Sequence, residues 1–326
     1  MSDRDQEILV RFKPHFEKIN HALDRVLESR IPLIVDMGGH SLLGGGKRLR
    51  PLLFVLSSRL CGYRGKDLYR LSTIFECIHT ASLLHDDVLD NAEVRRRKPS
   101  ANQLWGNHAA VLEGDFLYSR SFSVAVSGNN LQLLERLTDT TTRMAEGQVL
   151  ELIHTDDWKM QKETYLEVIT AKTAVLISAA CACGAIIAGA DEATVSALGE
   201  FGTRMGIAFQ LMDDVLDYTS TESVFGKPVG KDLREGKITL PLIYAIPELE
   251  GRERLSLETL FKERKATEAD YQKLIGFVRK NGVLGRIQDE ARAYVEEAAE
   301  CLEPFSGSST GRSLLDLNQY IIDRRF

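Results

Sequence analysis

Apolar residues recur at three- and four-residue spacing along most of the chain. Segments 130–153 (NLQLLERLTDTTTRMAEGQVLELI) and 165–190 (YLEVITAKTAVLISAACACGAIIAGA) carry it most clearly, and that is the period of an amphipathic helix. The second segment is apolar nearly all round and rich in Ala, Gly and Cys, which predicts a central core helix that its neighbours approach closely. No proline lies between Pro99 and Pro228, so helices can run there without interruption. Strand-type alternation and Asn-Gly hairpin signals are not evident. Breaks are predicted at Gly44–Gly46, Arg95–Ser100, Ser127–Asn130, Gly189–Asp191, Thr219–Gly236 and Ser306–Gly311. The pattern predicts an all-α fold of about ten or more helices, a single domain over 1–326 with no repeat or linker.

Composition narrows the class. Hydrophobic residues are 44% and charged residues 27% of the chain, a soluble globular balance. The net charge of −6 argues against a nucleic-acid partner, and it makes any local cluster of Lys and Arg notable. No apolar run is expected to reach the roughly 18–20 residues of a membrane span, and the charged start, MSDRDQEILVRFKPHFEK, lacks a signal-peptide apolar region. Cys61, Cys77, Cys181, Cys183 and Cys301 are odd in number and scattered. They are expected to be reduced, in a cytoplasmic protein.

Two aspartate clusters carry the chemistry. Asp86, Asp87 and Asp90 end one apolar helical run, and Asp213, Asp214 and Asp217 repeat the same spacing on another. At 3.6 residues per turn, positions i, i+1 and i+4 fall within an arc of about 100°. Each cluster therefore presents three carboxylates from one wall. Charges so close raise each other's pKa, and a hard cation removes that penalty, since carboxylate oxygen is what Mg²⁺ prefers. Two such walls with metals between them would clamp a diphosphate. A solvated helix end is the plain alternative for one triplet, and the recurrence of the word within apolar sequence argues against it for two.

Basic segments follow the acidic ones. Gly44-Gly45-Gly46-Lys47-Arg48-Leu49-Arg50 resembles a phosphate loop but fails that pattern: position 48 is Arg rather than Ser or Thr, and position 41 is Ser rather than Gly. Lys47 and Arg50 can still hold a diphosphate by charge-assisted hydrogen bonds. Arg95-Arg96-Arg97-Lys98 comes soon after the first cluster. Phe225–Lys237, punctuated by glycines and lysines, follows the second and reads as a lid that closes on phosphates. Acid then base, twice in the same order, suits a substrate pair with two diphosphates.

These residues resemble the trans-isoprenyl diphosphate synthase family over nearly the whole length. GGGKRLRP, LLHDDVLD, RRRKPS, LEGDFL, MAEGQVLEL, AKTAVL, FQLMDDVLD and GKPVGKDLREGKITLP occur in the family's order. The resemblance implies an isoprenoid synthase-type helical bundle around a central cavity, usually homodimeric. It implies a Mg²⁺-dependent prenyltransferase joining isopentenyl diphosphate head to tail to an allylic diphosphate. Asp86, Asp87, Asp90, Asp213, Asp214 and, more loosely, Asp217 would bind up to three Mg²⁺. Arg95, Lys172, Lys227 and Lys237 would hold the allylic diphosphate. Lys47, Arg50, His79 and Arg96 would hold isopentenyl diphosphate, and Thr173 and Gln210 would line the reacting carbons. One departure is Arg97, where the family often has Gly.

Product length should depend on what lies one and two turns before Asp86. Ala81 and Ser82, then Cys77 and Ile78, are small or moderate, whereas short-chain relatives commonly carry aromatic residues next to the aspartates. A turn is about 5.4 Å, close to one isoprene unit, so a long product around C40 is expected, of the kind attached to respiratory quinones. A short farnesyl or geranylgeranyl product is the alternative. Helix packing alone would also favour small residues there, and the floor itself is expected on the helix Phe116–Val126. Three rivals remain from other classes. The words Glu76-x-x-His79 and Glu151-x-x-His154 suit a di-iron carboxylate bundle but leave both aspartate clusters unexplained. A terpene cyclase would have a different second metal motif. A non-catalytic partner subunit would tend to have lost the aspartates.

Overall fold

A computed structural model describes residues 3–219 and 229–323. The helices are α1 Asp3–Val26, α2 Pro32–Ser41, α3 Leu49–Leu60, α4 Leu68–Leu89, α5 Ala101–Trp105, α6 Asn107–Ser127, α7 Leu131–Ile153, α8 Lys162–Ile169, α9 Val175–Ile187 and α10 Glu192–Thr219. Further helices follow at Lys231–Arg234, Leu240–Ala245, Gly251–Lys262, Glu268–Lys280, Val283–Cys301 and Ser309–Asp323. The all-α expectation is met. One correction is a two-strand hairpin, Val94–Arg95 against Lys98–Pro99, where no strand was expected.

The chain forms two compact units. The first comprises Met1–Thr141, Leu176–Gly202 and Cys301–Tyr320. Its centre is α4, buried at every position from Leu71 to Ile78, as a helix without a polar face must be. Helix α6 packs antiparallel to it through small residues. A Cβ on Gly114 would come within 2.3 Å of the His85 ring, and one on Gly128 within 3.0 Å of Leu71. Ser121 and Ala125, between them in sequence, are buried. Small residues on one face thus seat α6 along nearly the full length of α4.

The second unit comprises Thr142–Val175, Thr203–Glu300 and Ile321–Phe326. Between α8 and α9 the chain makes a π-helical turn, Thr170–Ala174. Gly147 of α7 and Gly206 of α10 press against it. An added Cβ would lie 2.9 Å from the Lys172 backbone nitrogen in one case and 2.6 Å from the Ala174 Cα in the other. Only glycine admits such a backbone approach.

A second correction concerns apolar runs. The helical stretch Lys162–Ile187 has a mean hydropathy of 1.7 over its most apolar window and is long enough to cross a membrane, but 72% of that window is buried within the folded chain. Its apolarity is that of the core helix the sequence predicts.

Candidate active site

The first aspartate cluster occupies the last turn of α4. Asp90 caps the helix, Asn91 turns into the left-handed region at φ 49°, and the Ala92 N–H donates back to the Asp87 carbonyl at 2.8 Å. This termination fixes the carboxylates against the end of the helix. Asp87 is 2% exposed. The Arg95 guanidinium, on the hairpin, clasps it: Nε lies 2.7 Å from both carboxylate oxygens and a terminal nitrogen 2.6 Å from Oδ1.

The hairpin turns through Arg96 and Arg97, both with positive φ (50° and 64°), which is the two-residue mirror-image turn that matches strand twist. The turn carries Arg96 onto the glycine loop, where its guanidinium donates to the Gly45 carbonyl. Lys98 donates to the Gly44 carbonyl at 3.4 Å. A Cβ on Gly46 would sit 3.1 Å from the guanidinium groups of both Arg48 and Arg96. Two basic segments joined across 51 and 54 residues of sequence therefore form one electropositive wall. Asp87, Arg95, Arg96 and Lys98 line a cleft of about 40 Å³ in it, with Thr80 and His40. Burial, then the nearby Arg50, Arg96, Arg95 and Arg48, hold the half-buried His79 well below its ordinary pKa, so its imidazole is neutral. Lys47 is exposed, its ammonium 5.6 Å from the centre of the Tyr320 ring.

Arg48 was not singled out from sequence, and it is structural. Its guanidinium is 2.7 Å from Glu76 with both side chains buried, and it also reaches Asn20 at 2.9 Å and the Gly45 carbonyl at 3.2 Å. This pair braces the glycine loop against α4 and consumes the Glu76 of the first Glu-x-x-His word. In the second word, Glu151 pairs with Lys172 at 2.6 Å and His154 with Asp157 at 2.9 Å. Cations thus occupy both glutamates that a di-iron site would need.

The second cluster ends α10 in the other unit. Asp214 is buried with both oxygens engaged. Tyr165 Oη donates to Oδ2 at 2.5 Å, and Gln210 Nε2 donates to Oδ1 at 2.9 Å. Thr173 in turn donates to Gln210 Oε1 at 3.1 Å. The Asp217 carboxylate accepts the backbone N–H groups of Lys231 at 3.1 Å and Asp232 at 3.3 Å, capping the short helix Lys231–Arg234. Lys237 lies 2.7 Å from Glu235. Lys172, Thr173, Gln210, Asp214 and Lys237 all line one cavity of about 140 Å³, joined by Glu151 and Asp232. Asp213 is half-buried. Lys227 lies outside the described residues, as does the first part of the expected lid. Its described end, Val229–Lys237, is pinned by Arg234, which is bidentate to Glu268 at 2.8 and 2.7 Å.

Asp232 and Tyr165 line this cavity and were missed by sequence reasoning, and Glu151 entered that reasoning only through the di-iron word. Asp232 stood among the lysines of a loop read only for its cations. Tyr165 offers no sequence signal beyond its place at the start of an apolar helix.

The donor set fits divalent metal. Both clusters sit at helix C-termini, where the backbone dipole already disfavours negative charge. Burial and then the proximity of Asp232 push Asp214 well above the ordinary carboxylate range and Asp217 up to about 7, and Asp232 is itself raised by burial. A cation placed there relieves this accumulation, and carboxylate oxygen is the ligand of a hard ion.

The polyprenyl synthetase family model matches residues 31–278. The chain is 36% identical over 313 residues to an octaprenyl diphosphate synthase of Haemophilus influenzae, covering 96% of this chain and 95% of that one. It is 35% identical over 325 residues to an all-trans-nonaprenyl-diphosphate synthase (geranyl-diphosphate specific) of Rhodobacter capsulatus, covering 99% and 98%. The crystal structure of a polyprenyl synthase from Caulobacter crescentus CB15, complexed with calcium and isoprenyl diphosphate, superposes with a TM-score of 0.94 at 37% identity, covering 99% and 98%. With matches of this extent the chain belongs to the polyprenyl synthetase family, among its long-chain trans-isoprenyl diphosphate synthases.

Proposed function

We propose that the protein condenses isopentenyl diphosphate with farnesyl or geranyl diphosphate, head to tail, to give an all-trans polyprenyl diphosphate of around C40. The observation that carries this is the pairing, in each unit, of a helix-terminal carboxylate triad with cations: Asp87 with Arg95 in one, and the Asp213–Asp217 triad with Lys172 and Lys237 lining the adjoining cavity in the other.

Asp86, Asp87, Asp90, Asp213, Asp214 and Asp217 would hold up to three Mg²⁺ with the allylic diphosphate, and the ions supply charge neutralisation on that leaving group. Arg95, Lys172, Lys227 and Lys237 bind the same diphosphate. Lys172 and Lys237 are held on carboxylates, Glu151 and Glu235, and exchange them for phosphate oxygens. Lys47, Arg50 and Arg96 bind the diphosphate of isopentenyl diphosphate. The neutral His79 adds a hydrogen bond rather than a charge. As the allylic C–O bond breaks, the isopentenyl double bond attacks the cation and a C–C bond forms. The released diphosphate takes the proton lost from the product. Thr173 and Gln210, fixed to each other and to Asp214, line the reacting carbons and help exclude water, which would quench the cation. The homodimer and the cytoplasmic location belong to this proposal through the family.

The test is incubation of the purified protein with Mg²⁺, labelled isopentenyl diphosphate and farnesyl diphosphate, then dephosphorylation and chain-length chromatography. A ladder ending near C40 supports the proposal. A stop at C15–C20 would keep the chemistry and remove the length. No incorporation with any allylic primer would point to a partner-dependent subunit.

A further inference from the structure

A groove of about 620 Å³ lies in the first unit, formed by α1, the start of α4 and the end of α6. Its lining is mixed. Ala22, Val26, Tyr69 and Val124 give it an apolar floor, and Lys18, Arg25, Arg70 and Arg120 give it a cationic rim. The rim is not charge-balanced. Arg70 meets Asp67 at 3.0 Å. Lys18 lies over the Tyr69 ring at 5.3 Å, and Arg120 donates to the Val26 carbonyl at 3.0 Å. Neither of these two, nor Arg25, forms an ion pair among the described residues. The one acid of the groove, Glu17, lies 4.0 Å from Lys13. In a chain of net charge −6 this concentration of cations over an apolar floor is local, and it complements an anionic amphiphile.

Its place in the unit adds a second argument. Arg70 stands sixteen residues before Asp86 on α4, about 24 Å along the helix at 1.5 Å per residue. Eight isoprene units, each close to a helical turn of about 5.4 Å, exceed that length. The groove is thus at the end of α4 toward which the tail of a long product extends. Beside its last residue, Ser127, the chain exposes Val126 (61%) and Leu131 (70%), apolar side chains suited to a lipid interface.

We propose that this groove docks the protein on an anionic phospholipid bilayer, with Lys18, Arg25 and Arg120 on the headgroup phosphates. The argument from tail length rests on the long-chain reading above; the charge argument does not. Docking would set the end of the protein nearest the product's tail against the phase in which that tail dissolves.

The test is co-sedimentation of the full-length protein, without substrates, with vesicles of phosphatidylglycerol and phosphatidylcholine or of phosphatidylcholine alone. Lys18 and Arg25 are exposed, so K18E/R25E is compared with the unaltered protein, with circular dichroism to check the fold. Binding is expected to the anionic vesicles, at least about tenfold weaker to neutral ones and in the folded variant, and lost in about 0.5 M salt. Equal binding to both vesicle types, no binding to either, or an undiminished folded variant would overturn the proposal. So would loss of self-association, rather than of lipid binding, in K18E/R25E, since that would give the groove to a second copy of the chain. An enzyme that docks in this way yet stops at C15–C20 would leave docking standing and remove the long-chain reading.

Discussion

Tyr165 donates its phenolic proton to Asp214 at 2.5 Å, with both side chains buried. Burial, then Asp214 itself, raises the phenol well above its ordinary pKa, so the bond is a permanent donor to a carboxyl in the second aspartate cluster. Gln210 occupies the other oxygen, and Asp214 is thereby fixed in orientation. Replacing Tyr165 by Phe removes the donor and leaves the shape. Asp214 is one of the metal ligands proposed above, and outer partners of such ligands are typically worth about 10–100-fold in metal affinity. Y165F is expected to need that much more Mg²⁺ for half-maximal rate and to recover most activity at saturation. A variant with unchanged Mg²⁺ dependence would show that Asp214 is not oriented through Tyr165.

Gly147 and Gly206 make a harder prediction, because the atoms they face are backbone. A methyl group on either would press on the π turn that carries Lys172 and Thr173. Overpacking of this kind costs typically about 1–3 kcal/mol, and here it also displaces the residues proposed to bind diphosphate and line the reacting carbons. G206A should lose both stability to urea and turnover, with KM for the allylic substrate rising. Full activity in G206A would mean that the turn tolerates displacement.

Arg97 stands where the family often has Gly, and its backbone is strained. Its φ of 64° places an L side chain in the left-handed region, which costs about 1–2 kcal/mol. R97G is therefore expected to raise the urea midpoint by about 1 kcal/mol of stability with little change in KM for isopentenyl diphosphate. R96G should relieve similar strain but lose the guanidinium held on Gly45, and its KM should rise. Equal kinetic effects of the two substitutions would contradict this division.

Much of the first half-site could be read ahead of the structure. The i, i+1, i+4 carboxylates, the basic run after them and the glycine loop are local patterns, and each sits where its period placed it. The docking of the hairpin on the glycine loop was not legible, because Arg96 and Arg97 adopt positive φ without Gly or Asn to announce it. The Arg48–Glu76 pair was hidden for another reason. Two charges that cancel in a core look, in sequence, like any other Arg and Glu, and only packing shows that their task is to brace. The breaks around Cys61–Asp67 and His154–Gln161 lack the proline that would have marked them, and Gly62 and Gly65 are weak signals without it.

Glu113 on α6 gives a pH prediction outside the site. It is 2% exposed, and neither carboxylate oxygen has a hydrogen-bond partner among the described residues. Burial pushes its pKa up from 4.5 to about 7. The folded state holds this proton more tightly than the unfolded one. Its contribution is fully favourable below pH 4.5 and is lost as pH rises toward about 7, with no further change above. The interval corresponds to roughly 3 kcal/mol. E113Q keeps the shape without the titration and should be more stable than the parent at pH 8, with the difference shrinking as pH falls to 5. Parallel urea-stability profiles for the two proteins would show that Glu113 finds a partner or water in solution.

Ala81, Cys77 and Ile78 are fully buried on α4, while Ser82, half-buried, donates its hydroxyl to the His79 carbonyl at 2.8 Å. This difference separates two explanations of their small size. If they serve only close packing, an aromatic residue at either position mainly destabilises the protein, by about 1–3 kcal/mol, and leaves the product unchanged. If they border the path of the growing chain, an aromatic ring one turn before Asp86 blocks that path. S82F has room to place its ring and should shorten the main product to C15–C20 with a small loss of stability. A81F has no such room and should both shorten the product and lower the unfolding midpoint. C77F, one turn deeper, should allow about one further isoprene unit before the stop, since a helical turn and an isoprene unit are of similar length. Chromatography of the dephosphorylated products from the three variants reads this directly. A graded series in the order of the helix turns would establish α4 as the ruler, and three unchanged ladders would move the length-setting residues to the helix Phe116–Val126 or elsewhere.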